Sequence, residues 1–292
     1  MKIQKTSRRN FLHSTVTTGA LVAASFSLRD LLAAEDYGGK KIPIALQLYT
    51  IGADMRKDAA GSLAKVAKLG YKGVEFAGFP SQDAKEVRKM LDDNGLKCCG
   101  SHTGVNALQG DNFAKTVDFA KTIGNTRLIA PSLFRNFSND AEKDKKMVED
   151  MADTLNEISD KLKPEGLRTG FHCHPGEFKK IGDSTVWDIF FTRAKKDVIM
   201  QCDLGHMGSA GVDPVAYINK YPGRASTVHV KPSAKKKSGG LVGDSDDTLD
   251  WPAIFKACET VGGTEWYIVE YDGGSMEKAE KTIELLRQWG KA

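Results

Sequence analysis

From about residue 40 onward, short apolar runs alternate with longer stretches whose apolar residues recur every three or four positions. The short runs read as strands: IALQLY (44–49), GVEFAG (73–78), KCCGSH (97–102), TRLIAP (126–131), RTGFHCH (168–174), VIMQCDL (198–204), STVHVK (226–231) and WYIVEY (266–271). Between them, SLAKVAKLG, AKEVRKMLDDNG, FAKTVDFAKTIGN and AEKDKKMVEDMADTLNEISDKLKPEG carry the helical period. Several end in Gly, which favours the left-handed position that closes a helix. Eight such pairs in about 250 residues predict an α/β fold of the closed (β/α)8 TIM barrel type, since a doubly wound sheet usually has fewer strands. One barrel is assigned to residues 35–292, with no long linker, low-complexity tract or second domain.

The first 34 residues break this rhythm. MKIQKTSRRNFLHSTVTTGALVAASFSL has a basic start followed by a mild Thr/Ala/Gly-rich run; Ser7-Arg8-Arg9-Asn10-Phe11-Leu12 looks like a twin-arginine export signal, and Leu31-Leu32-Ala33-Ala34 offers small residues for cleavage. A membrane anchor is the alternative, but threonines and Arg29 interrupt the run and it is short for a bilayer. The expectation is a periplasmic or otherwise exported protein without a stable membrane span after cleavage. The segment removes five basic residues and one acidic one, so 42 against 38 becomes 37 against 37. A near-neutral body argues against a nucleic-acid binder, and Lys235-Lys236-Lys237 reads as a solvated loop. Five cysteines, with Cys98 and Cys99 adjacent, do not suggest a disulfide framework. Export of an already folded chain fits reduced, buried thiols, and Cys173 and Cys202 alternate away from the polar residues and read as core.

Barrel chemistry sits at the C-terminal strand ends. There the runs give way to Gln47 and Tyr49, Glu75, His102, then His172, His174 and Glu177, Asp203 and His206, His229 and Lys231, and Glu270 and Asp272. Five of the six histidines belong to this set, and the sixth, His13, lies in the signal. Each residue alone has a plain account, Glu75 as an ion-pair partner, Asp203 as a helix cap, Glu270 as a loop carboxylate; scattered core histidines would not gather on one rim. Imidazoles and carboxylates from successive strands suit a divalent ion such as Zn²⁺, Mn²⁺, Co²⁺ or Ni²⁺. His172, Asp203, His229 and Glu270, one from each of the last four strands, form the expected ligand set. An ion on adjacent hydroxyl and carbonyl oxygens acidifies the carbon-bound proton between them, which a nearby Glu or His can remove. In GFHCHPGEF (170–178), alternation puts His172 and His174 on one side of the strand and Phe171 and Cys173 on the other. One core and one loop histidine is the plain alternative. His172, the deeper, is assigned to the metal; His174 and Glu177 are expected at the rim, one as general base. Gly239, Gly240 and Gly243 suggest a mobile segment after the seventh strand.

Glu75 in GYKGVEFAG, His102 in GSHTG, then GFHCHPGEF, CDLGH, VHVKP, LDWPAIFKACE and WYIVEYD follow the order found in the xylose isomerase-like TIM barrels, or sugar phosphate isomerases/epimerases, which the chain resembles over roughly residues 42–290. In ketose 3-epimerases and inosose dehydratase of that family, Glu, Asp, His and Glu at the last four strands hold the metal. The resemblance implies that Asp203, His229 and Glu270 take the last three roles. His172 stands where the first glutamate is expected, with Glu177 further along. That departure resembles an exported subgroup with a Tyr/Phe-His-Asn-His-like motif, some of whose members look like lyases or hydratases of 3-keto-glycosides. The implied function is a metal-dependent carbohydrate lyase or isomerase working by proton abstraction next to a sugar carbonyl, with β-elimination from 3-keto-glycosides as one form. His174, Glu177, Lys231 and His206 are its expected catalytic residues, and Gln47, Tyr49, Glu75 and His102 its substrate-binding ones. Export, and the lack of a glycine-rich phosphate cradle beyond Gly273-Gly274, favour a free sugar derivative. Alternatives are an isomerase or epimerase on a free ketose, an endonuclease IV-like metal phosphodiesterase sharing the Asp203/His206 pair, and a non-catalytic carbohydrate-binding barrel. A small-molecule carbohydrate is the expected partner and nucleic acid is not; self-association is left open.

Overall fold

All eight apolar runs form parallel strands, most of them shorter than the run that predicts them: β1 (Ile44–Gln47), β2 (Gly73–Phe76), β3 (Lys97–His102), β4 (Arg127–Ala130), β5 (Arg168–His172), β6 (Ile199–Asp203), β7 (Thr227–Val230) and β8 (Trp266–Val269). The computed structural model describes residues 41–134, 137–138, 140–233 and 240–292; the expected signal 1–34, Lys235–Lys237 and Gly239 lie outside them. Each strand pairs with its neighbours in sequence, and β1 pairs with β8 in the register Ile44 to Tyr267, Ala45 to Ile268 and Leu46 to Val269, closing the barrel. The helices are α1 (Gly52–Lys57), α2 (Ala59–Leu69), α3 (Ala84–Asp93), α4 (Asn112–Thr122), α5 (Ala141–Leu162), α6 (Val186–Arg193), α7 (Leu204–Ser209), α8 (Pro214–Lys220), α9 (Trp251–Ala257) and α10 (Met276–Gln288).

Helix α5 shows why these segments form and where they pack. Asp140 caps it, accepting the N–H groups of Glu142 and Lys143 at 3.1 and 3.2 Å. Val148, Ala152, Leu155, Ile158 and Leu162 make one buried stripe. Each large apolar side chain so buried contributes roughly 1.5–3 kcal/mol. The strands send Phe171, Met200, Cys202, Val228, Tyr267 and Val269 to the main core, while Ala45, Cys99, Trp266 and Ile268 form a separate apolar cluster. Nearer the C-terminal ends, inward positions are polar yet buried: Gln47, Glu75, His172, Gln201 and His229, with Thr227 buried at the start of β7.

Two local features position the site. The β2–β3 ladder shifts register after Val74, which sets Glu75 opposite Gly100; a Cβ on Gly100 would come within 2.8 Å of Glu75 Oε1, so only glycine leaves that carboxylate its place. The runs at 44–49 and 168–174 stop short because the chain tightens into 3₁₀ turns at Leu48–Ile51 and Pro175–Phe178. Tyr49 is thus in a turn and not a strand. All five cysteines are free and buried. Among the described residues no helix is long and apolar enough to cross a membrane.

Candidate metal centre and its mouth

Gln201 lies two residues before Asp203 on β6, so both side chains enter the barrel. Its Nε2 donates to Glu75 Oε1 at 2.8 Å and to Thr227 Oγ1 at 3.0 Å. An ionised carboxylate only accepts, so the amide nitrogen belongs there and Oε1 faces His172 Nδ1 and His102 Nε2, each at 3.0 Å. Glu75 Oε2 accepts from Gln47 Nε2 at 2.8 Å and His229 Nε2 at 2.7 Å. Burial would push the Glu75 carboxyl up, but His229, His102 and the hydrogen bonds from His229 and Gln201 outweigh it and hold the group below its usual range. Glu75 was expected to bind substrate. Fully buried, with both oxygens engaged, it instead orients His229 from beneath.

Above this layer, donor atoms of His172, Asp203, His229 and Glu270 lie within 4.8 Å of one another, all four residues buried. Burial foremost, then His102 and His229, keeps His172 well below the ordinary imidazole range, so it is neutral at pH 7. With its Nδ1–H given to Gln201, its Nε2 lone pair lies 4.0 Å from Asp203 Oδ2. His229 Nδ1 is 2.5 Å from Glu270 Oε2 and 4.0 Å from Asp203 Oδ2. Burial would lower the His229 pKa, but Glu75 and Glu270 outweigh it and raise it to about 10. Glu270 is held well below the carboxylate range: burial acts upward, and His229 dominates the opposing effects.

Asp203 supplies the test of whether a cation fits. Its Oδ1 caps α7 by accepting the His206 N–H at 2.8 Å. Its Oδ2 is buried without a hydrogen-bond partner, with Lys231 Nζ and His206 Nε2 no nearer than 3.6 and 3.7 Å. Leaving such an acceptor unsatisfied costs about 1–3 kcal/mol, and more when it is charged. Gaps of 4.0 Å to two imidazole nitrogens suit ligands that each approach a shared ion to about 2.0–2.2 Å. Charge agrees: three buried carboxylates, of Glu75, Asp203 and Glu270, face two cations, His229 and Lys231. Exchanging the His229 proton for a divalent ion balances them. The residues fit a borderline divalent ion.

The centre opens into a cavity of about 430 Å³ lined by Gln47, Tyr49, His102, His174, His206 and Asp272, together with ligand candidates His172 and Glu270. The His174 ring lies 5.0 Å from that of His172 and 4.8 Å from that of His206. Burial and, next, His206 lower its pKa to about 4. Lys231 Nζ reaches Asp272 Oδ2 at 2.8 Å, His206 Nε2 at 3.2 Å and Glu270 Oε1 at 3.3 Å. Burial opposes its charge, but Asp203, Glu270 and Asp272 outweigh burial and raise its pKa. Tyr49, 58% exposed, presents an open ring at the mouth. A second cavity of about 350 Å³, between Met55, Phe76 and Met90, has Arg56 as its one charged lining residue.

Glu177 requires a correction. Expected at the rim facing substrate, it is buried in the 3₁₀ turn, where its Oε2 accepts the His174 backbone N–H at 2.7 Å. Burial pushes its carboxyl up, and backbone N–H groups only partly offset that. It does not line the cavity. Gln201 and Thr227 were not anticipated; the shared inward parity of Gln201 and Asp203 was the available signal.

The family model described as xylose isomerase-like TIM barrel matches residues 63–289. The chain is 23% identical over 245 residues to an inosose dehydratase of Clostridium beijerinckii, covering 72% of this chain and 80% of that protein. It is 24% identical over 266 residues to that of Geobacillus thermodenitrificans, with coverages of 77% and 88%. Its fold is similar to a sugar phosphate isomerase/epimerase from Parabacteroides distasonis, with TM-score 0.73, 24% identity and coverage of 86% and 95%. It is also similar to the IolI protein solved with a bound zinc atom, with TM-score 0.62, 16% identity and coverage of 86% and 99%.

Proposed function

This chain belongs to the xylose isomerase-like TIM barrel family, and from that premise we propose that it is a metal-dependent lyase acting on unphosphorylated keto-sugars. It removes the proton beside the carbonyl and expels a β-oxygen, as in dehydration of a keto-inositol or β-elimination from a 3-keto-glycoside. The relatives named inosose dehydratase support the sugar chemistry. The observation that carries the reading is the unpartnered Asp203 Oδ2, set among His172, His229 and Lys231.

A divalent ion held by His172, Asp203, His229 and Glu270 would supply Lewis-acid polarisation of the ketone oxygen. His174, unprotonated at pH 7, takes the neighbouring carbon-bound proton on a ring nitrogen. The C–H electrons become the new C=C bond as the β C–O bond breaks. The proton then passes from His174 to the departing oxygen, so the products are an unsaturated ketone and water or an alcohol. An imidazole with pKa near 4 is a weak base, but its conjugate acid is a strong donor to that oxygen. Lys231, kept cationic by three carboxylates, holds Glu270 and His206 in place behind the cavity wall, and Tyr49 stacks on the apolar face of the sugar ring. Among the described residues Lys231 is the one lysine or arginine at the centre, and, already paired with Glu270 and Asp272, it is no clamp for a phosphate.

The test is incubation with a 3-keto-glucoside and with a keto-inositol in D₂O, followed by NMR and by enone absorbance. Elimination is expected. Chelation should abolish it and lower Tm, zinc or manganese should restore both, and His174→Ala should slow it about 10²–10⁴-fold. Deuterium exchange without elimination assigns an isomerase or epimerase instead. Neither exchange nor a Tm shift on verified metal removal leaves only carbohydrate binding.

A further inference from the structure

We propose that Gln201 is a positioning residue that locks His172 into the tautomer protonated on Nδ1, leaving its Nε2 free as a ligand atom facing Asp203. The inference rests on the metal-centre reading above, but its first consequence belongs to the metal-free protein. Gln201 is fully buried and its amide has no rotational choice. Turning it over would set the carbonyl oxygen 2.8 Å from Glu75 Oε1, two acceptors with no proton between them. The orientation fixed by Glu75 therefore presents Oε1 to His172 Nδ1 and His102 Nε2 at 3.0 Å each, and both must donate.

Without that acceptor, His172 has a better place for its proton. Asp203 Oδ2 is buried, has no hydrogen-bond partner and lies 4.0 Å from His172 Nε2. An Nε2–H directed there would satisfy Asp203 and block both donor atoms together. Gln201 is what makes the opposite tautomer the stable one. The chain runs Glu75 to Gln201 to His172, so a carboxylate on β2 sets the proton position of a ligand on β5 through an amide on β6. The partner of the non-coordinating nitrogen commonly decides how a histidine ligates, and losing it typically costs about 10–100-fold in metal affinity.

The experiment is long-range ¹H–¹⁵N correlation of the metal-free full chain, with His172 signals assigned by their absence in His172→Gln. Wild type should show a protonated Nδ1 and an unprotonated Nε2. In Gln201→Leu the pattern should invert, and zinc affinity, measured by competition with a chromophoric chelator, should fall about 10–100-fold. Gln201→Glu keeps an oxygen toward both histidines, its own proton directed to Glu75, and should retain the wild-type pattern. A wild-type spectrum with the proton on Nε2 overturns the proposal, as does Gln201→Leu with tautomer and affinity unchanged. If Gln201→Leu does not fold, the wild-type and Gln201→Glu spectra decide. The expected wild-type tautomer together with no zinc binding would support the role of Gln201 and remove the metal-centre reading instead.

Discussion

At the scale of single residues, His229 holds a proton in the place a metal ion would take. Fully buried between Glu75 and Glu270, it has a pKa raised to about 10 from its ordinary 6.5. A raised folded-state pKa contributes stability that is full below about 6.5 and is lost as pH climbs through about 10. Ligation at Nδ1 displaces that proton, so metal affinity should rise with pH across this window. We expect about one proton released per zinc ion bound at pH 7–8, read with an indicator in weak buffer, and none from His229→Gln. His172 and His174, already neutral there, contribute nothing. Uptake without proton release by the wild type would count against His229 as a ligand. The four clustered side chains were legible because imidazole and carboxylate are rare at inward strand positions. Gln201 was not, since an amide earns notice only when its partners on β2, β5 and β7 are known.

Elements decide where those side chains point. Alternation along β5 predicts the shared side of His172 and His174, and the two rings meet as it implies. It fails three residues later, because Pro175 starts a 3₁₀ turn that directs Glu177 back onto the chain. Its carboxylate takes the backbone N–H of His174, one of the donors a helical turn leaves unpaired at its start. Glu177→Ala should therefore lower stability by about 0.5–2 kcal/mol in urea denaturation, the usual range for a lost cap, with zinc stoichiometry unchanged. An ion lost with this substitution would return Glu177 to the ligand set. The shortened first run has the same cause: Gln47 Oε1 accepts the Tyr49 N–H and starts a turn that no apolar pattern encodes.

For the whole molecule, eight strand–helix repeats were enough to specify the closed barrel, because parallel strands buried on both faces read as continuous apolar runs. The floor of the site was hidden, since it depends on pairs such as Glu75 and Gln201, 126 residues apart. The Ser7-Arg8-Arg9 segment leads us to propose export; replacing Arg8 and Arg9 by lysine should hold the protein in the cytoplasm, and unchanged fractionation would remove that proposal. Barrel closure bears on this as well. Strand β8 supplies both the edge that β1 must pair with and, just beyond it, Glu270. A nascent chain on the ribosome that has delivered seven strands carries His172, Asp203 and His229 but lacks Glu270. Capture of an ion by the full set of four would therefore wait for the final strand to emerge, and the compartment in which that strand docks, with whatever metals it holds at that moment, would choose the ion.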